Sequence, residues 1–213
     1  MQEATNTETK ILRAAMEVFI QKGRHGAKMQ EIADSAGINK AMLHYYFRSK
    51  ENLYIMIFKT VFIGFFSEIE KVFQEGIPFE QQLSAIINRY VDILNANERI
   101  PLFLAREFGE GGEIVKRIVS EIMEQQQFQL PRFLFRLMEN AKKKGEMRDV
   151  DSKQFILTLL GSSVFFFIAE PVVFTILQKF DPLDRKTFIE ERKKAIFEVL
   201  YYGIKPREPF PQE

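Results

Sequence analysis

The segment KAMLHYYF, residues 40–47, carries side chains whose types and spacing suit contact with nucleic acid. Because residues four apart share one face of a helix, Lys40 lies beside His44. Ala41 lies beside Tyr45 by the same spacing, and its small side chain lets a facing backbone approach closely. The lysine can reach guanine acceptors or a phosphate, and the two rings offer polar edges to bases or phosphates. An exposed helix has the right width for the major groove, so this segment is predicted to recognise DNA.

The elements that must position this helix are indicated by the residues around it. A second helix is predicted to end at Gly37, where a left-handed residue is favoured. Asn39 is placed to cap the recognition helix, and Leu43 and Phe47, four residues apart, are placed to pack against the first helix. Three short helices within about residues 7–47 therefore predict a helix-turn-helix head.

Basic residues accumulate around the predicted recognition helix. Six bases and two acids lie between residues 22 and 50, whereas the whole chain has a net charge of +1. Such a cluster is more often a solvated face, but beside a helix-turn-helix it also suits phosphate contacts. Lys50 adds its charge to the N-terminal dipole of a fourth helix, and Tyr46 is placed to contact the DNA backbone. The predicted DNA-binding residues are Lys28, Met29, Asn39, Lys40, Ala41, His44, Tyr45, Tyr46 and Lys50.

Helical periodicity continues through the rest of the chain, and no strand pattern interrupts it. We predict an all-α protein of about nine helices, in which a larger helical body follows the head. The seventh helix is expected over residues 113–144 with a kink at Pro131, and the eighth over 152–178 with a kink at Pro171. The ninth is expected to start at Asp181, an acid that precedes a proline.

The domain organisation follows from these elements. The fourth helix is expected to run from Lys50 to about Gln74 and to lead from the head into the body without a flexible linker. We predict a helix-turn-helix DNA-binding domain over residues 1–49, a ligand-binding and dimerisation domain over 50–205, and an irregular, proline-rich tail over 206–213.

The body contains many phenylalanines, most of which are expected to be ordinary core residues. Aromatic-rich helices around a proline kink can also enclose a cavity for an apolar ligand. Arg106 can orient the polar end of such a ligand, or it can form a surface ion pair with Glu107, which is the commoner arrangement. The residues predicted to bind a ligand are Phe62, Phe66, Phe103, Arg106, Phe128, Pro131, Phe135 and Phe166.

The longest uncharged segment, residues 154–169, is shorter than the roughly 20 apolar residues that a membrane-spanning helix needs. It is better explained as a helix at a domain or subunit interface. Small residues within it permit close approach of a second helix, so a four-helix dimer interface is predicted for the last two helices. Burial of the same residues within one subunit is the alternative. The predicted dimerisation residues are Gly161, Ser162, Phe165, Ile196, Val199 and Leu200.

The composition argues against several kinds of site. The chain has no cysteine, which excludes disulfides, thiolate metal sites and cysteine nucleophiles. Its two histidines without metal-ligand spacing argue against any other metal site. No phosphate-binding glycine loop and no GxSxG motif occur. We therefore expect no enzymatic activity, no cofactor and no metal site. The polar N-terminus lacks the apolar run of a signal peptide, so a cytoplasmic protein without a membrane partner is expected.

The residues IADSAGINKAMLHYYFRSKENLY, 32–54, resemble the signature of the tetracycline-repressor (TetR) family of bacterial regulators. In that family a glycine turn leads to a recognition helix that ends in an aromatic run, followed by phenylalanine, Ser-Lys-Glu and leucine. The resemblance is dense over about residues 9–54 and elsewhere extends only to length, all-α layout and helix order. It implies a homodimer, a major-groove contact, and a body pocket whose occupancy changes DNA affinity.

Several positions depart from the family pattern. Ala27 and Lys28 stand where a Thr/Ser pair usually precedes the second helix, so capping of that helix is expected to be weaker. Ala41 and Met42 replace a common Gly-Thr, and His44 replaces a common tyrosine. The base preference of a relative therefore does not transfer to this chain.

The sequence thus predicts a ligand-responsive DNA-binding transcriptional regulator. Repression is expected to end when a small apolar or amphipathic molecule releases the homodimer from a near-palindromic operator in double-stranded DNA. A DNA-binding protein without an inducer is the first alternative, and a helical enzyme or lipid-binding protein is the second.

Overall fold

The computed structural model describes residues 2–74, 76–124 and 129–206. These residues form α-helices without any strand, which confirms the predicted all-α class. Ten helices are found within these ranges: α1 Gln2–Gly26, α2 Met29–Ala36, α3 Lys40–Phe47, α4 Lys50–Glu70, α5 Phe79–Ala96, α6 Arg99–Gly109, α7 Glu113–Glu124, α8 Leu130–Lys143, α9 Ser152–Leu177 and α10 Arg185–Ile204.

The predicted seventh helix is two helices, α7 and α8, so the prediction of one helix with a kink at Pro131 was wrong, and the described residues form ten helices where about nine were predicted. Pro131 lies in the first turn of α8, where its missing N–H removes no intrahelical hydrogen bond. The last helix also starts later than predicted. Asp184, not Asp181, is its N-cap, and its carboxylate accepts a hydrogen bond of 2.8 Å from the Thr187 backbone N–H. Pro171 lies inside α9, as expected.

The chain divides into two compact units. Unit 1 comprises Met1–Phe65 and Asn97–Gln127, and unit 2 comprises Phe66–Ala96 and Phe128–Glu213. The division falls within α4, and helices α6 and α7 belong to the same unit as the predicted DNA-binding head. The proposed domain boundary at residues 49/50 stays a prediction.

Unit 1 is built around an aromatic cluster that joins α1, α4 and α6. The rings of Phe19 and Tyr54 lie 4.7 Å apart in an edge-on arrangement, and those of Phe58 and Phe103 stack at 4.3 Å. All four side chains are almost completely buried. Since aromatic rings contribute much of a core's buried apolar area, this cluster holds the first helix against α4 and α6.

Unit 2 is organised around α5, whose buried face packs against α9 and α10. Arg185, at the start of α10, ties these helices together. Its guanidinium donates to the Glu170 carboxylate at 2.5 Å and to the Asn95 side-chain oxygen at 2.8 Å. Lys193 on the same helix forms an ion pair of 2.5 Å with Asp92 of α5.

Two helices are long and apolar enough to cross a membrane by length and composition alone. They are α4, with a window of mean hydropathy 1.4, and α9, with a window of mean hydropathy 2.0. The uncharged segment of α9 therefore lies in an apolar helix of 26 residues, close to the expected range of 152–178. Only 22% of its most apolar window is buried, so much of this helix presents an outward apolar face.

Candidate nucleic-acid interface

The turn between α2 and α3 has the geometry that the sequence predicts. Gly37 has a left-handed backbone, with φ 67° and ψ 33°. Its N–H donates to the Asp34 carbonyl at 3.1 Å, and the Ile38 N–H donates to the Ala33 carbonyl at 3.0 Å. These two bonds satisfy carbonyls that the end of α2 leaves without intrahelical partners. A glycine is favoured here because residues that carry a side chain rarely adopt this left-handed backbone conformation.

Helix α3 is fixed at its start and along its inner face. The Asn39 side-chain oxygen accepts a hydrogen bond of 2.7 Å from the Met42 backbone N–H, which confirms the predicted cap. Leu43 is completely buried and Phe47 is 5% exposed, so both face inward as predicted. The Ser49 hydroxyl accepts from the Asn52 N–H at 3.1 Å and caps α4 in the same way.

The outer face of α3 presents the side chains that the spacing placed there. Lys40, Ala41 and His44 are exposed, and Tyr45 is 82% exposed. The half-buried ring of Tyr46 lies edge-on to Tyr45 at 5.7 Å. The predicted division of the helix into inner and outer faces is therefore confirmed.

Two exposed residues on or beside this face were missed. Met42 is 41% exposed, and Arg48 is exposed directly after the helix. Arg48 was predictable, because a base that follows the aromatic run stands at the end of the recognition helix. Met42 was not, since an apolar residue next to Leu43 is normally assigned to the core.

Arg48 has the only positive φ of a non-glycine residue among the described residues, with φ 59° and ψ −46°. Its N–H donates to the His44 carbonyl at 2.9 Å. In return, its carbonyl lies 3.0 Å from Nδ1 of the His44 ring. Two hydrogen bonds therefore connect His44 and Arg48, and together they fix the orientation of the imidazole on the outer face.

Lys50 has an additional role that the sequence did not indicate. Its ammonium donates to the His25 carbonyl at 3.1 Å and to the Ala27 carbonyl at 3.0 Å. These bonds tie the start of α4 to the connection between α1 and α2. The predicted phosphate contact of Lys50 stays a prediction, because the lysine is already engaged in positioning the head.

The start of α2 lacks the side-chain cap that the family pattern usually supplies. Lys28 is the N-cap residue and makes no capping hydrogen bond, whereas Ala27 is buried. Met29, at the first helical position, is half-buried. Glu31 in the first turn pairs with Lys22 at 2.9 Å, and the hydrogen bond from that lysine lowers the pKa of its carboxyl. Weaker capping of α2 is therefore confirmed.

Three bases around α3, Lys28, Lys40 and Arg48, are exposed and form no ion pair with any carboxylate in the described ranges. Their charge is therefore available to a ligand rather than neutralised within the protein. A local positive surface on a nearly neutral chain suits the phosphate backbone of DNA.

Helix α6 contacts the first helix of the head through Arg106. The guanidinium of Arg106 donates to the Ile20 carbonyl at 2.8 Å, near the point where Gly23 interrupts α1 with φ 72°. A Cβ at Gly23 would lie 2.6 Å from Arg106 Nη2, so a larger residue would displace this guanidinium and would also be strained at the positive φ. The predicted ion pair with Glu107 is not formed, since the nearer acid is Glu110 at 3.7 Å.

Glu107 instead lies in the interior of unit 1, where it is 2% exposed. It accepts hydrogen bonds from the Tyr54 hydroxyl at 2.9 Å and from the Ile114 N–H at 3.1 Å. Burial and the Glu107 carboxylate raise the pKa of Tyr54 far above its ordinary value. This carboxylate therefore links α4 to the start of α7 without using Arg106.

The residues predicted to bind a ligand are divided between the two units. In unit 1, Phe62 is half-buried, Phe103 is buried in the aromatic cluster and Arg106 contacts α1. A ligand contact by any of these residues stays a prediction. Unit 2 holds Phe66, Pro131, Phe135 and the buried Phe166, whereas Phe128 lies outside the described residues.

Unit 2 contains a cleft of about 540 Å³ that none of the described members of that predicted set lines. The rings of Phe73 and Phe133 stack at 5.1 Å in its wall, and the Arg136 guanidinium lies 4.8 Å from the Phe133 ring centre. Sequence reasoning treated these phenylalanines as ordinary core. The described lining residues are Glu70, Phe73, Gln74, Gly76, Ile77, Phe79, Gln82, Phe133, Arg136, Leu137, Asn140, Ala141, Lys144 and Glu146.

The acids of this cleft are engaged with backbone donors. The Glu70 carboxylate accepts hydrogen bonds from the Gln129 and Leu130 N–H groups at 2.9 and 2.8 Å and so caps the N-terminus of α8. Glu146 accepts from the first N–H of α5 at 3.2 Å. Arg136 and Lys144 make no ion pair with a carboxylate of the described chain. The cleft therefore combines aromatic walls with two cations that no acid neutralises.

The residues predicted for dimerisation fall into two groups. Gly161 is exposed, Phe165 is 62% exposed and Val199 is 75% exposed. Ile196 and Leu200 are instead buried within unit 2, which is the alternative arrangement that the sequence left open. Ser162 is half-buried, and its carbonyl accepts a hydrogen bond of 2.7 Å from Arg192. The outer group continues along α9 and α10 as an apolar face that includes Leu157, Val172, Ile176 and Tyr202.

Comparison with known proteins agrees with this arrangement. Residues 11–57 match the model of the tetR family of bacterial regulatory proteins. The HTH-type transcriptional regulator RutR of Escherichia coli is 23% identical over 204 residues, which cover 92% of this chain and 90% of RutR.

Two solved structures share the fold. The fatty acid degradation regulator FadR from Bacillus halodurans aligns with a TM-score of 0.68 and 19% identity, over 91% of this chain and 94% of FadR. The transcriptional regulator FadR from Bacillus subtilis, solved in complex with stearoyl-CoA, aligns with a TM-score of 0.69 and 18% identity. The alignment covers 92% of this chain and 98% of that FadR. Residues 11–57 of this chain therefore match the tetR family of bacterial regulatory proteins, and over nearly its whole length the chain shares the fold of these solved structures.

Proposed function

We propose that the protein is a homodimeric transcriptional repressor that binds a near-palindromic operator and releases it when an effector binds. The observation that carries this proposal is the outer face of α3, where Lys40, His44 and Tyr45 are exposed on a helix fixed from its inner side. Two such helices would dock in successive major grooves, about 34–36 Å apart. The protein would act in the cytoplasm, in contact with double-stranded DNA.

The DNA-binding part of the proposal is tested by fluorescence anisotropy with duplexes from the region upstream of the protein's own gene. Lys40→Ala should weaken binding and reduce its salt dependence, because one cation leaves the interface. Lys179→Ala is the matched control, since Lys179 is equally exposed but lies after α9. If the two variants bind like the wild type, α3 is not the recognition helix.

Self-association is assigned to the apolar face formed by α9 and α10. Phe165 and Val199 are its most exposed members among the predicted dimerisation residues, and an outward apolar patch on a soluble protein commonly marks an interaction site. Phe165→Glu should yield a monomer in light scattering at micromolar concentration. Phe180→Glu is the control, because Phe180 is 84% exposed and lies in the turn between α9 and α10 rather than on either helix. A dimer that survives Phe165→Glu would place the interface elsewhere.

The effector is assigned to the cleft of unit 2. Its stacked phenylalanines suit an acyl or aromatic group, and Arg136 and Lys144 suit an anionic end. The FadR of Bacillus subtilis was solved with stearoyl-CoA, an anionic molecule with a long acyl chain, which makes this class the first to examine. An effector acts only through its different affinities for two states, and coupling is typically about 1–3 kcal/mol and reciprocal.

Calorimetric titration with stearoyl-CoA and decanoate, and with uncharged decanol, tests this assignment. Arg136→Ala should weaken binding of the anions and leave decanol unaffected. Arg132→Ala is the control, because Arg132 is exposed on the same helix but does not line the cleft. Equal losses in both variants, or unchanged binding in both, would contradict a site in this cleft.

A further inference from the structure

The hydrogen bond between His44 and Arg48 determines where the imidazole carries its proton. Nδ1 of His44 lies 3.0 Å from the Arg48 carbonyl oxygen, and a carbonyl oxygen has no proton to donate. The proton of this bond therefore belongs to Nδ1. Since a neutral imidazole carries one N–H, the opposite nitrogen, Nε2, is left with a free lone pair and acts as an acceptor.

The carbonyl that sets this tautomer is held in place by the end of α3. Arg48 has φ 59°, and its own N–H donates to the His44 carbonyl at 2.9 Å. The next residue, Ser49, donates its N–H to the Phe47 carbonyl at 2.6 Å. The chain therefore turns back on the last turn of α3 and directs the Arg48 carbonyl at the imidazole.

Nε2 of His44 has no hydrogen-bond partner among the described residues, and the side chain is exposed on the recognition face. Its neighbours on that face are Lys40, which only donates, Ala41, which does neither, and Tyr45, whose rotatable hydroxyl can do either. The protein thus presents one obligate donor and one fixed acceptor on the same helical face.

We propose that His44 is a specificity-determining residue that selects a base with an exocyclic amino group, adenine or cytosine, at one position of each half-site. In the major groove, adenine N6 and cytosine N4 donate, whereas guanine N7 and O6 and thymine O4 accept. A fixed acceptor therefore matches the first two bases and opposes the other two. The inference rests on the proposed binding of DNA through α3.

Selection of bound duplexes from a random pool tests the inference. Wild type should enrich a near-palindromic site with adenine or cytosine at the position that His44 faces. One hydrogen bond to a neutral partner corresponds to a preference of about five- to tenfold. His44→Phe keeps a ring without nitrogen atoms and should reduce this preference to less than about twofold. His44→Arg offers only donors and should change the enriched base to guanine.

Arg48→Gly is the matched control, because it keeps the carbonyl that holds Nδ1–H and suits a positive φ. It should therefore retain the preference for adenine or cytosine even where it lowers total affinity. Melting curves of all variants verify that each one is folded.

The possible outcomes separate the inference from the proposed function. If wild type enriches no palindromic site, binding through α3 is wrong. If it enriches a site whose base composition is unchanged in His44→Phe, or one with guanine or thymine at this position, the inference about His44 is wrong. A long-range ¹H–¹⁵N NMR spectrum, recorded where the imidazole is neutral, should show His44 as the Nδ1–H tautomer. The signals of His44 are identified by their absence from the spectrum of His44→Phe. A dominant Nε2–H form would also overturn the inference.

Discussion

The recognition helix α3 and the apolar helix α9 present side chains to solvent in two different ways. α3 has eight residues, and a turn glycine, a capping asparagine and two buried side chains fix its position. α9 has 26 residues, and its exposed face is a stripe of large apolar side chains. Turn, cap and packing residues within about a dozen positions specify the exposed surface of α3. The exposed surface of α9 is apolar along its length, and no comparable local residue specifies its partner.

The largest effect is expected from removing the buried anchor of α3. Leu43→Ala should reduce the free energy of unfolding by about 2–5 kcal/mol, because it removes a completely buried side chain and leaves a cavity. Guanidinium denaturation measures this loss. Met42→Ala, at the neighbouring 41% exposed position, should change stability by less than about 1 kcal/mol. Equal effects would show that α3 does not depend on its inner face.

A smaller effect is expected from the turn that orients α3. Gly37→Ala should destabilise the protein by about 1–2 kcal/mol, because an L-residue is strained at φ 67°. Apart from its neighbours in the chain, no described residue lies within 4 Å of the added Cβ, so the loss would measure backbone strain alone. Gly64→Ala, in the interior of α4 and equally free of clashes, should instead stabilise by about 0.5–1 kcal/mol. A loss at both positions would refute this interpretation of the turn.

The same substitution on α9 tests the other side of the comparison. Gly161→Ala meets nothing within 4 Å in one subunit, so the folded monomer should gain about 0.5–1 kcal/mol. If a second copy packs closely at this point, the added methyl group should at the same time weaken the dimer. Sedimentation over a concentration series measures the dissociation constant. An unchanged constant would show that Gly161 is not part of a close helix contact.

The smallest effect concerns the start of α9. Backbone N–H groups of Gln154 and Lys153 donate to the Asp151 carboxylate and lower its pKa below the ordinary value of 3.8. This contribution is complete above pH 3.8 and is lost as the pH falls through the lower pKa of the folded protein. Asp151→Asn keeps a capping oxygen without the charge. The difference in melting temperature between wild type and this variant should therefore narrow from pH 7 to pH 3, and a constant difference would contradict the charge effect.

The sequence was sufficient to predict α3 because its determinants are local. Gly37, Asn39, Leu43 and Ser49 each act on residues within a few positions, and the structure confirms the geometry expected for each of them. Turn, cap and periodicity rules apply at this range, so one short segment indicated the position and both faces of the helix.

The errors arose where the determinant is distant in the chain. Pro131 suits a kink and a first turn equally well, and Glu70, which closes the start of α8, is 60 residues from Leu130. Arg106 was expected to pair with Glu107 if it did not orient a ligand, but its guanidinium donates to the Ile20 carbonyl, 86 residues away, and the predicted ligand contact stays a prediction. No local pattern encodes such contacts. For the same reason the sequence did not reveal the cleft of unit 2, whose walls come from α4, α5 and α8.

The guanidinium of Arg106 on α6 donates to the Ile20 carbonyl and so caps the part of the first helix that precedes Gly23. A hydrogen bond to a charged group contributes about 1.5–3 kcal/mol, and its angular and distance limits are narrow. A shift of α6 by about one ångström would therefore leave the Ile20 carbonyl without its donor, and Gly23 offers no side chain to replace it. The stability of the first helix therefore depends on the position of α6, which supplies a hydrogen-bond donor to the turn before Gly23.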